Sequence, residues 1–317
     1  MQLESRIRAA FFGHAIGDAL GVPVEFLSRV ELDESPVQDF RAFGTHNQPA
    51  GTWSDDTSLM LCTAEAFCSV ETSELLPELA KNFIAWYRRA YWSARGDVFD
   101  IGNATRDAIL RLEKGEQPEL AGGMEESANG NGSLMRILPA AFALQALAFE
   151  ERRRSSFHIS ALTHAHPRSQ FACWFFVEIV LHICQGLVPH EALDRAHRTI
   201  SKWVHEHHGD RSEWHHYQRC TTARLQSLAR NAIQSSGYVV HSMEAALWVM
   251  LQNSDFATTV LAAVNLGDDS DTTAAIAGGL AGAVYGDERI PANWMQAIAR
   301  VDDIESLVVR FVAKFGQ

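Results

Sequence analysis

Apolar residues recur at helical spacing along most of the chain. The clearest examples are TSLMLCTAEAFCSV (57–70), SLMRILPAAFALQALAF (133–149) and FACWFFVEIVLHICQGL (171–187), in which apolar side chains return every three or four positions. Alternation of apolar and polar residues, as in strands, is hard to find. The pattern therefore predicts an all-α fold. Further helices are expected near 3–20, 74–90, 100–114, 151–163, 189–206, 214–231, 243–253, 255–265, 271–285 and 292–315.

Turn-rich segments separate the predicted helices. The longest of these cover residues 29–56, 91–101, 115–133 and 207–214, and long connections of this kind often carry functional side chains. No stretch has the composition of an interdomain linker, and no repeat of fixed period is present. Residues 1–317 are therefore expected to form one compact domain.

Composition and charge narrow the class of protein. With 47% hydrophobic and 21% charged residues, the chain is typical of soluble globular proteins. The net charge of -12 argues against a general nucleic-acid binder, because neutralising phosphates requires a basic surface. The five scattered cysteines indicate reduced core residues. The most apolar run is too short to span a membrane and the N-terminus lacks a signal-peptide pattern, so a cytoplasmic location is expected.

The segment GDDSDTTAAIAGGLAG (267–282) places three aspartates just before an apolar stretch rich in Gly and Ala. One carboxylate is enough to cap a helix start, whereas several adjacent ones repel one another unless a cation lies between them. Oxygens of Asp269, Asp271 and Thr272 are the ligands that Mg²⁺, Mn²⁺ or Ca²⁺ prefers. Taken alone, the segment is more typical of a cap beside solvent than of a metal site.

A second acidic helix start changes that balance. In GTWSDDTSL (51–59), Ser54, Asp55 and Asp56 precede another apolar helix. If the two helix starts meet in space, four carboxylates and two hydroxyls provide enough ligands for two divalent ions, with positions left for water and substrate. Two separate N-caps are the alternative, and the paired composition favours a metal site.

Two further segments contain candidate functional groups. In HAIGDALGVPVEF (14–26), the apolar neighbours of Glu25 would raise its pKa and suit it to proton transfer, with a surface glutamate as the alternative. Asp18 could have a structural role only. In ANGNGSLMR (128–136), Asn131 and its flanking glycines stand just before a predicted helix, whose free N–H groups could hold a phosphate. A simple turn is the alternative there.

Taken in order, six segments resemble the motifs of the ADP-ribosylglycohydrolase family. They are GDALGVPVEF, GTWSDDTSL, FDIGNAT, GNGSLMR, LTHAHPRS and NLGDDSDTTAAIAGGLAGAVYG, and they extend from residue 17 to 286. The resemblance implies an all-α domain with two Mg²⁺ (or Mn²⁺) ions at its centre. It also implies hydrolysis of the glycosidic bond between ADP-ribose and a modified group, so that an ADP-ribosylated protein is the expected substrate.

The resemblance also implies roles for individual residues. The implied metal ligands are Ser54, Asp55, Asp56, Asp269, Asp271 and Thr272. The implied catalytic residues are Glu25, Asp100 and Asp56. The implied substrate-binding residues are Gly130, Asn131, Gly132, Ser133 and His164, with His166 as the weaker of the two histidine candidates.

Two positions depart from the family pattern. Ser54 stands where threonine is usual and keeps the hydroxyl, and Asp268 stands where a second glycine is usual. Asp268 could tune metal affinity, contact the acceptor or point to solvent, and the last role is favoured. Asp268 and the net charge of -12 slightly favour arginine over serine as the acceptor, because an acidic rim attracts a guanidinium.

Three other interpretations remain open from the sequence. The chain could be a catalytically weak relative that binds and occludes an ADP-ribosylating toxin, although the six intact ligand positions argue against simple loss of catalysis. It could be a metal-dependent phosphohydrolase, but no Lys or Arg cluster adjoins the acidic motifs. The histidine-rich stretch VHEHHGDRSEWHHYQRC (204–220) could bind zinc, but it lacks the zincin spacing and a solvated helix end is favoured.

Overall fold

A computed structural model of the protein describes residues 2–207 and 211–316. Within these ranges the chain is helical, and the only strand-type pairings are isolated bridges from Gly123 to His164 and from Gly130 to Tyr238. The α-helices are α1 Leu3–Gly21, α2 Arg29–Glu34, α3 Asp55–Ser69, α4 Leu75–Arg89, α5 Asn103–Glu113, α6 Leu138–Ala143, α7 Phe149–Ala161, α8 Pro167–Cys184, α9 Pro189–His207, α10 Arg211–His215, α11 Thr222–Ser227, α12 Val239–Gln252, α13 Phe256–Val264, α14 Ser270–Tyr285, α15 Ala292–Ala297 and α16 Val301–Phe315. The all-α prediction is confirmed.

Within residues 2–207 and 211–316, no helix has both the length and the apolar character that crossing a membrane requires.

Helices α1 and α14 form the centre of the molecule, with their backbones in direct contact. A Cβ added to Gly17 would lie 2.0 Å from the carbonyl oxygen of Ala274, and one added to Gly278 would lie 2.1 Å from that of Gly13. Only residues without a side chain permit such an approach. The small residues that follow the acidic run therefore allow the close packing of this central pair.

The other helices surround this pair. α3, α13 and α16 pack against α1, while α8 and α12 pack against α14. Their inward faces form one continuous hydrophobic core that includes Phe11, Phe142 and Trp174. The end of α1 reaches the start of α14, because a Cβ on Gly21 would lie only 2.3 Å from Cα of Asp271. Both acidic segments are thereby brought to the same end of α1.

Three helices predicted from periodicity are shorter than expected. Within 133–149 only Leu138–Ala143 is α-helical, and Pro139 stands in its first turn, because proline has no N–H to donate and is tolerated only where that bond would be missing anyway. Within 214–231 the helix Thr222–Ser227 ends where Leu228 turns extended. Within 292–315 the helix is interrupted before Val301–Phe315, where the backbone of Ala299 bonds to that of Gly51 at 2.8 Å.

Two segments predicted as loops contain short helices. α2 lies within 29–56, and it begins with a capping box in which Ser28 and Glu31 exchange hydrogen bonds. α10 begins within 207–214. The serine followed three residues later by glutamate was a readable signal for α2.

Candidate metal and active site

A cleft of about 720 Å³ opens above the N-terminal ends of α3 and α14. Most of the site residues expected from the sequence line it, namely Glu25, Asp55, Asp100, Gly130, Asn131, Gly132, His164, Asp269 and Thr272. Ser54, Asp56 and Asp271 are buried and belong to the same two helix starts. The fold therefore brings together the two acidic clusters, which are far apart in the sequence.

Hydrogen bonds join the two clusters directly. Oδ2 of Asp56 accepts from the hydroxyl of Ser54 at 3.1 Å and from that of Thr272 at 3.2 Å. Ser54 also caps α3, since its Oγ accepts from the backbone N–H of Asp56 at 3.2 Å. Both helices direct their N-terminal ends, which carry partial positive charge, toward the carboxylates.

Asp18 holds the start of α3 in place. Its carboxylate accepts from the backbone N–H of Ser54 at 2.9 Å, and from the backbone N–H and hydroxyl of Thr57 at 3.0 and 2.6 Å. These bonds satisfy the donors of the first helical turn. Asp18 therefore fixes the position of the first cluster, which is a structural role of the kind the sequence allowed.

Several carboxylate oxygens in the cluster lack hydrogen-bond partners. Among the described residues, Oδ1 of Asp56 and both oxygens of Asp271 are buried and accept no hydrogen bond. Burial, together with repulsion from neighbouring carboxylates, raises the pKa of Asp55, Asp56 and Asp271 well above its usual range. Buried unpaired charge is costly, so the arrangement needs either protons or a cation.

The donor geometry suits a divalent cation. Ligand atoms of Asp18, Asp56 and Asp271 all lie within 4.8 Å of one another, and so do those of Glu25, Asp269 and Asp271. Asp271 belongs to both groups, as would a ligand shared by two neighbouring ions. Hard carboxylate and hydroxyl oxygens are the donors that Mg²⁺ and Mn²⁺ prefer. The residues present therefore fit a divalent metal ion, although these groups include Asp18 and Glu25, which were not among the predicted ligands, and do not include Asp55.

A histidine outside the sequence motifs links the two candidate catalytic carboxylates. Nε2 of His46 forms a short hydrogen bond with Oε2 of Glu25 and lies 3.8 Å from Oδ1 of Asp100. Burial and the charge of Asp269 raise the pKa of Glu25 to about 8. Burial and the charge of Glu25 raise the pKa of Asp100 to about 8. Bound cations would lower both pKa values by offsetting the repulsion.

The glycine-rich loop forms one wall of the cleft, but its contacts differ from the expectation. Nδ2 of Asn131 donates to Oδ2 of Asp269 at 2.7 Å, which ties the loop to the second cluster. The backbone N–H of Asn131 donates to the carbonyl of Gly237 at 3.0 Å, so this group is not free to bind phosphate. The loop also precedes a set of turns, since α6 begins only at Leu138.

Ser133 and His164 lie on the same side of the site in different environments. Ser133 is fully buried, its Oγ accepts from that of Ser160 at 2.9 Å, and it is absent from the cleft lining. His164 does line the cleft, and a Cβ on Gly132 would lie 2.7 Å from its Cε1. Burial and the charge of Arg136 lower the pKa of His164 to about 3. His164 is therefore neutral at physiological pH.

Comparison with known proteins decides the family. The family described as ADP-ribosylglycohydrolase matches residues 1–317. The chain belongs to this family.

Similar proteins agree with this assignment. The chain is 34% identical over 313 residues to ADP-ribosylarginine hydrolase Tri1 of Pseudomonas putida (strain GB-1), covering 96% of this chain and 77% of the relative. It is 30% identical over 302 residues to the protein of the same name from Serratia proteamaculans (strain 568), covering 95% and 77%. A solved structure described as an ADP-ribosylglycohydrolase-related protein complex has a TM-score of 0.81 and 28% identity, covering 99% of each chain. These names give no support to the toxin-occluding alternative.

The described residues of the histidine-rich stretch 204–220 do not line the cleft and belong to none of the groups that could hold a metal ion. Among the described residues, no group of potential metal ligands includes His205, His207, His215 or His216, and His208 lies outside them. The ring of His207 stacks on Trp203 with 4.8 Å between centroids. His166, the weaker substrate candidate, caps α8 by accepting from the backbone N–H of Arg168 at 3.2 Å.

Several residues of the ADP-ribosylglycohydrolase cleft were not found from the sequence. Ser236 and Gly237 line one wall of the cleft but belong to no recognisable sequence motif. Phe26 lines the mouth of the cleft. Asp268 also lines the cleft and is exposed. The solvent-facing position favoured from the sequence therefore does not prevent it from facing the cleft. For His46, the only available signal was its position in the segment 29–56, because its partners are distant in sequence.

Proposed function

We propose that this protein hydrolyses the N-glycosidic bond between ADP-ribose and arginine side chains of modified proteins, with two Mg²⁺ or Mn²⁺ ions bound. The main observation that supports this proposal is that two acidic helix N-termini meet at the base of one cleft. There, Asp56 and Asp271 leave buried carboxylate oxygens without hydrogen-bond partners. An ADP-ribose-removing activity is consistent with the family and with the names of the relatives.

The metal ligands are proposed by position and chemistry. The residues that would hold the ions are Ser54, Asp55, Asp56, Asp269, Asp271 and Thr272. When bound, such ions supply positive charge that reverses the local repulsion of a diphosphate, holds ribose hydroxyls and orients a water molecule. Asp18 and the helix starts keep these ligands in position before substrate arrives.

The chain's own groups supply binding and proton transfer. Cleavage at the anomeric carbon develops positive charge on the ribose, and the departing nitrogen must accept a proton. Glu25 lines the cleft and is held through its Oε2 by His46, so its carboxyl is positioned for that transfer. Nδ2 of Asn131 already donates to Ser242 and Asp269, so Asn131 offers its amide oxygen to a ribose hydroxyl, and neutral His164 offers its ring nitrogen on the same wall. Acidic neighbours stabilise the oxocarbenium-like charge.

Arginine is proposed as the acceptor on two grounds. The two relatives reported above are both named ADP-ribosylarginine hydrolases. In addition, the mouth of the cleft carries an exposed carboxylate, Asp268, which would attract a cationic guanidinium.

The test is release of free ADP-ribose from arginine-modified and serine-modified proteins, each with Mg²⁺, with Mn²⁺ and with a chelator. We expect release from the arginine-modified protein only, lost on chelation and restored by adding metal. Release that is equally fast in chelator would contradict the metal dependence. Release from the serine-modified protein alone would contradict the acceptor, while leaving the hydrolase activity in place.

A further inference from the structure

We infer that Phe26 and Asp268 together form the subsite that recognises the guanidinium of the acceptor arginine. This inference rests on the proposed function and names the residues that would provide its selectivity. Both residues line the mouth of the cleft. Phe26 is 66% exposed although it is a large apolar residue, and Asp268 is exposed as well.

The backbone holds these two residues side by side. The N–H of Phe26 donates to the carbonyl of Asp268 at 2.7 Å, and the N–H of Asp268 donates to the carbonyl of Leu27 at 2.9 Å. The two bonds join the segment after Glu25 to the segment before the second acidic cluster. The aromatic ring and the carboxylate therefore start from fixed, neighbouring positions beside the candidate catalytic carboxyl.

Both residues adopt a backbone conformation that their side chains disfavour. The φ angle is 65° at Phe26 and 56° at Asp268, in the left-handed region where glycine is the usual residue. A bulky aromatic residue is rare there. The surrounding contacts thus present an exposed ring and an exposed charge at positions where glycine would be the easier choice.

The carboxylate of Asp268 is available to a ligand. Within residues 2–207 and 211–316 it forms no side-chain hydrogen bond or ion pair. Arg29 is close enough for an electrostatic interaction with Asp268. The N–H groups of the Arg29 guanidinium, however, donate to backbone carbonyls, namely those of Leu266, Arg230 and Ile233 at 2.9, 2.7 and 2.8 Å. The negative charge at the cleft mouth therefore has no committed partner.

An aromatic face beside a carboxylate matches the chemistry of a guanidinium. The planar cation stacks on aromatic rings, and its N–H groups donate in pairs to carboxylates. A serine acceptor has neither a charge nor a planar group, so it would gain nothing from either residue. The pair therefore selects the acceptor side of the bond, while the ADP-ribose lies deeper among the metal ligands and the glycine-rich loop.

The test compares Asp268→Asn and Phe26→Leu with wild-type protein, using ADP-ribosyl-arginine as substrate with Mg²⁺. Removing one charge-assisted contact should raise KM about tenfold for Asp268→Asn, with kcat changed by less than about twofold. Phe26→Leu should raise KM about fivefold, and Phe26→Tyr should restore the wild-type value because it keeps the ring. The effect of Asp268→Asn should shrink as NaCl is added, since exposed charges are screened.

Matched controls separate this role from general effects. Glu119→Gln removes an exposed charge away from the cleft, and Phe43→Leu removes a ring that is equally exposed at 66% and also left-handed at φ 62°. Neither should change KM. Asp268→Gly serves if the asparagine variant is unstable, because glycine accepts the φ of that position. Binding of free ADP-ribose, which lacks the acceptor, should be the same in every variant.

Each other outcome overturns the inference. If wild-type protein cleaves ADP-ribosyl-arginine while Asp268→Asn and Phe26→Leu keep the wild-type KM, the subsite is wrong and the proposed function stands. If the variants lose affinity for free ADP-ribose to the same extent, the two residues serve the ADP-ribose and not the acceptor. If wild-type protein does not cleave this substrate at all, the proposed function fails and the inference fails with it.

Discussion

The hydroxyl of Thr272 donates a hydrogen bond to Oδ2 of Asp56 at 3.2 Å, across 216 residues of sequence. Each residue belongs to the first turn of a helix, α14 for Thr272 and α3 for Asp56. The bond therefore marks the point at which two helix N-termini meet. Their partial positive charges offset only part of the surrounding negative charge, which leaves a strong attraction for divalent cations.

Removing a carboxylate from either cluster should abolish metal-dependent turnover. We predict that Asp56→Ala and Asp269→Ala each lower kcat/KM by about a hundredfold or more, because each takes away a proposed metal ligand. Release of ADP-ribose with Mg²⁺ measures the loss, and circular dichroism should show unchanged helical content. Full activity in either variant would rule out the two-metal arrangement.

A methyl group between α1 and α14 should destabilise the fold and disturb the metal site at the ends of these helices. Gly17→Ala would place Cβ 2.0 Å from the carbonyl oxygen of Ala274, so α1 and α14 would have to separate. We predict a loss of about 3 kcal/mol in the free energy of unfolding, with weaker stabilisation by Mg²⁺. Denaturant titration with and without metal measures both effects.

Gly102→Ala is the matched control for that experiment. A Cβ there would meet no atom within 4 Å, and the φ of -62° suits any residue. Gly102 is the N-cap of α5, where alanine is less favourable than glycine, so the free energy of unfolding should fall by no more than about 1 kcal/mol. Equal stability of Gly17→Ala and Gly102→Ala would show that the helix contact tolerates a side chain.

The metal-free protein should gain stability at alkaline pH when Glu25 is made neutral. The pKa of Glu25 is raised to about 8 in the folded state, above the usual value of about 4.3 for an unfolded chain. The folded state therefore holds a proton more tightly, and the free energy of unfolding falls as pH rises from about 4 to about 8. In chelator, Glu25→Gln should exceed wild type by at least about 1 kcal/mol at pH 8.

The same comparison has an internal control. Near pH 3, well below the unfolded-state pKa of about 4.3, the carboxyl of Glu25 is protonated in both states, so the two proteins should respond to pH alike. Thermal unfolding in chelator from pH 3 to pH 9 gives the difference directly. A stability difference that does not grow with rising pH would show that Glu25 ionises normally in the folded protein.

A buried histidine should oppose folding at acid pH. His14 is 1% exposed, and burial, opposed by a hydrogen bond to the backbone of Asp56, lowers its pKa to about 4. Between pH 6.5 and pH 4 the unfolded state takes up a proton that the folded state refuses, so the free energy of unfolding falls as pH falls. The loss should be roughly 3 kcal/mol by pH 4, and His14→Gln should remove it.

The exposed His190 provides the control for His14. His190→Gln should leave the difference in stability between pH 7 and pH 4.5 as it is in wild type, because the side chain is exposed. Urea titrations at pH 7 and pH 4.5 suffice for the comparison. Similar pH profiles for wild type and His14→Gln would mean that His14 is protonated normally when buried.

Much of the fold was predictable because helix formation is encoded locally. The periodicity of 57–70 and 171–187 anticipated α3 and α8, since each segment carries its own apolar face. The run 133–149 misled because Pro139 in its middle sets the start of the helix. The break near Ala299 was also hidden, because its backbone bonds to Gly51 in a distant segment.

Some features of the candidate site were likewise predictable from the sequence, and others depended on the tertiary structure. The sequence by itself determined which oxygens are available, because two acidic helix starts with Asp56 and Asp271 are visible in short motifs. Only the tertiary structure decided that these starts meet, that His46 joins Glu25, and that Ser133 turns into the core. The physical reason is that pattern and capping act over a few residues. Convergence depends instead on the close contact of α1 with α14, which operates between residues more than two hundred positions apart.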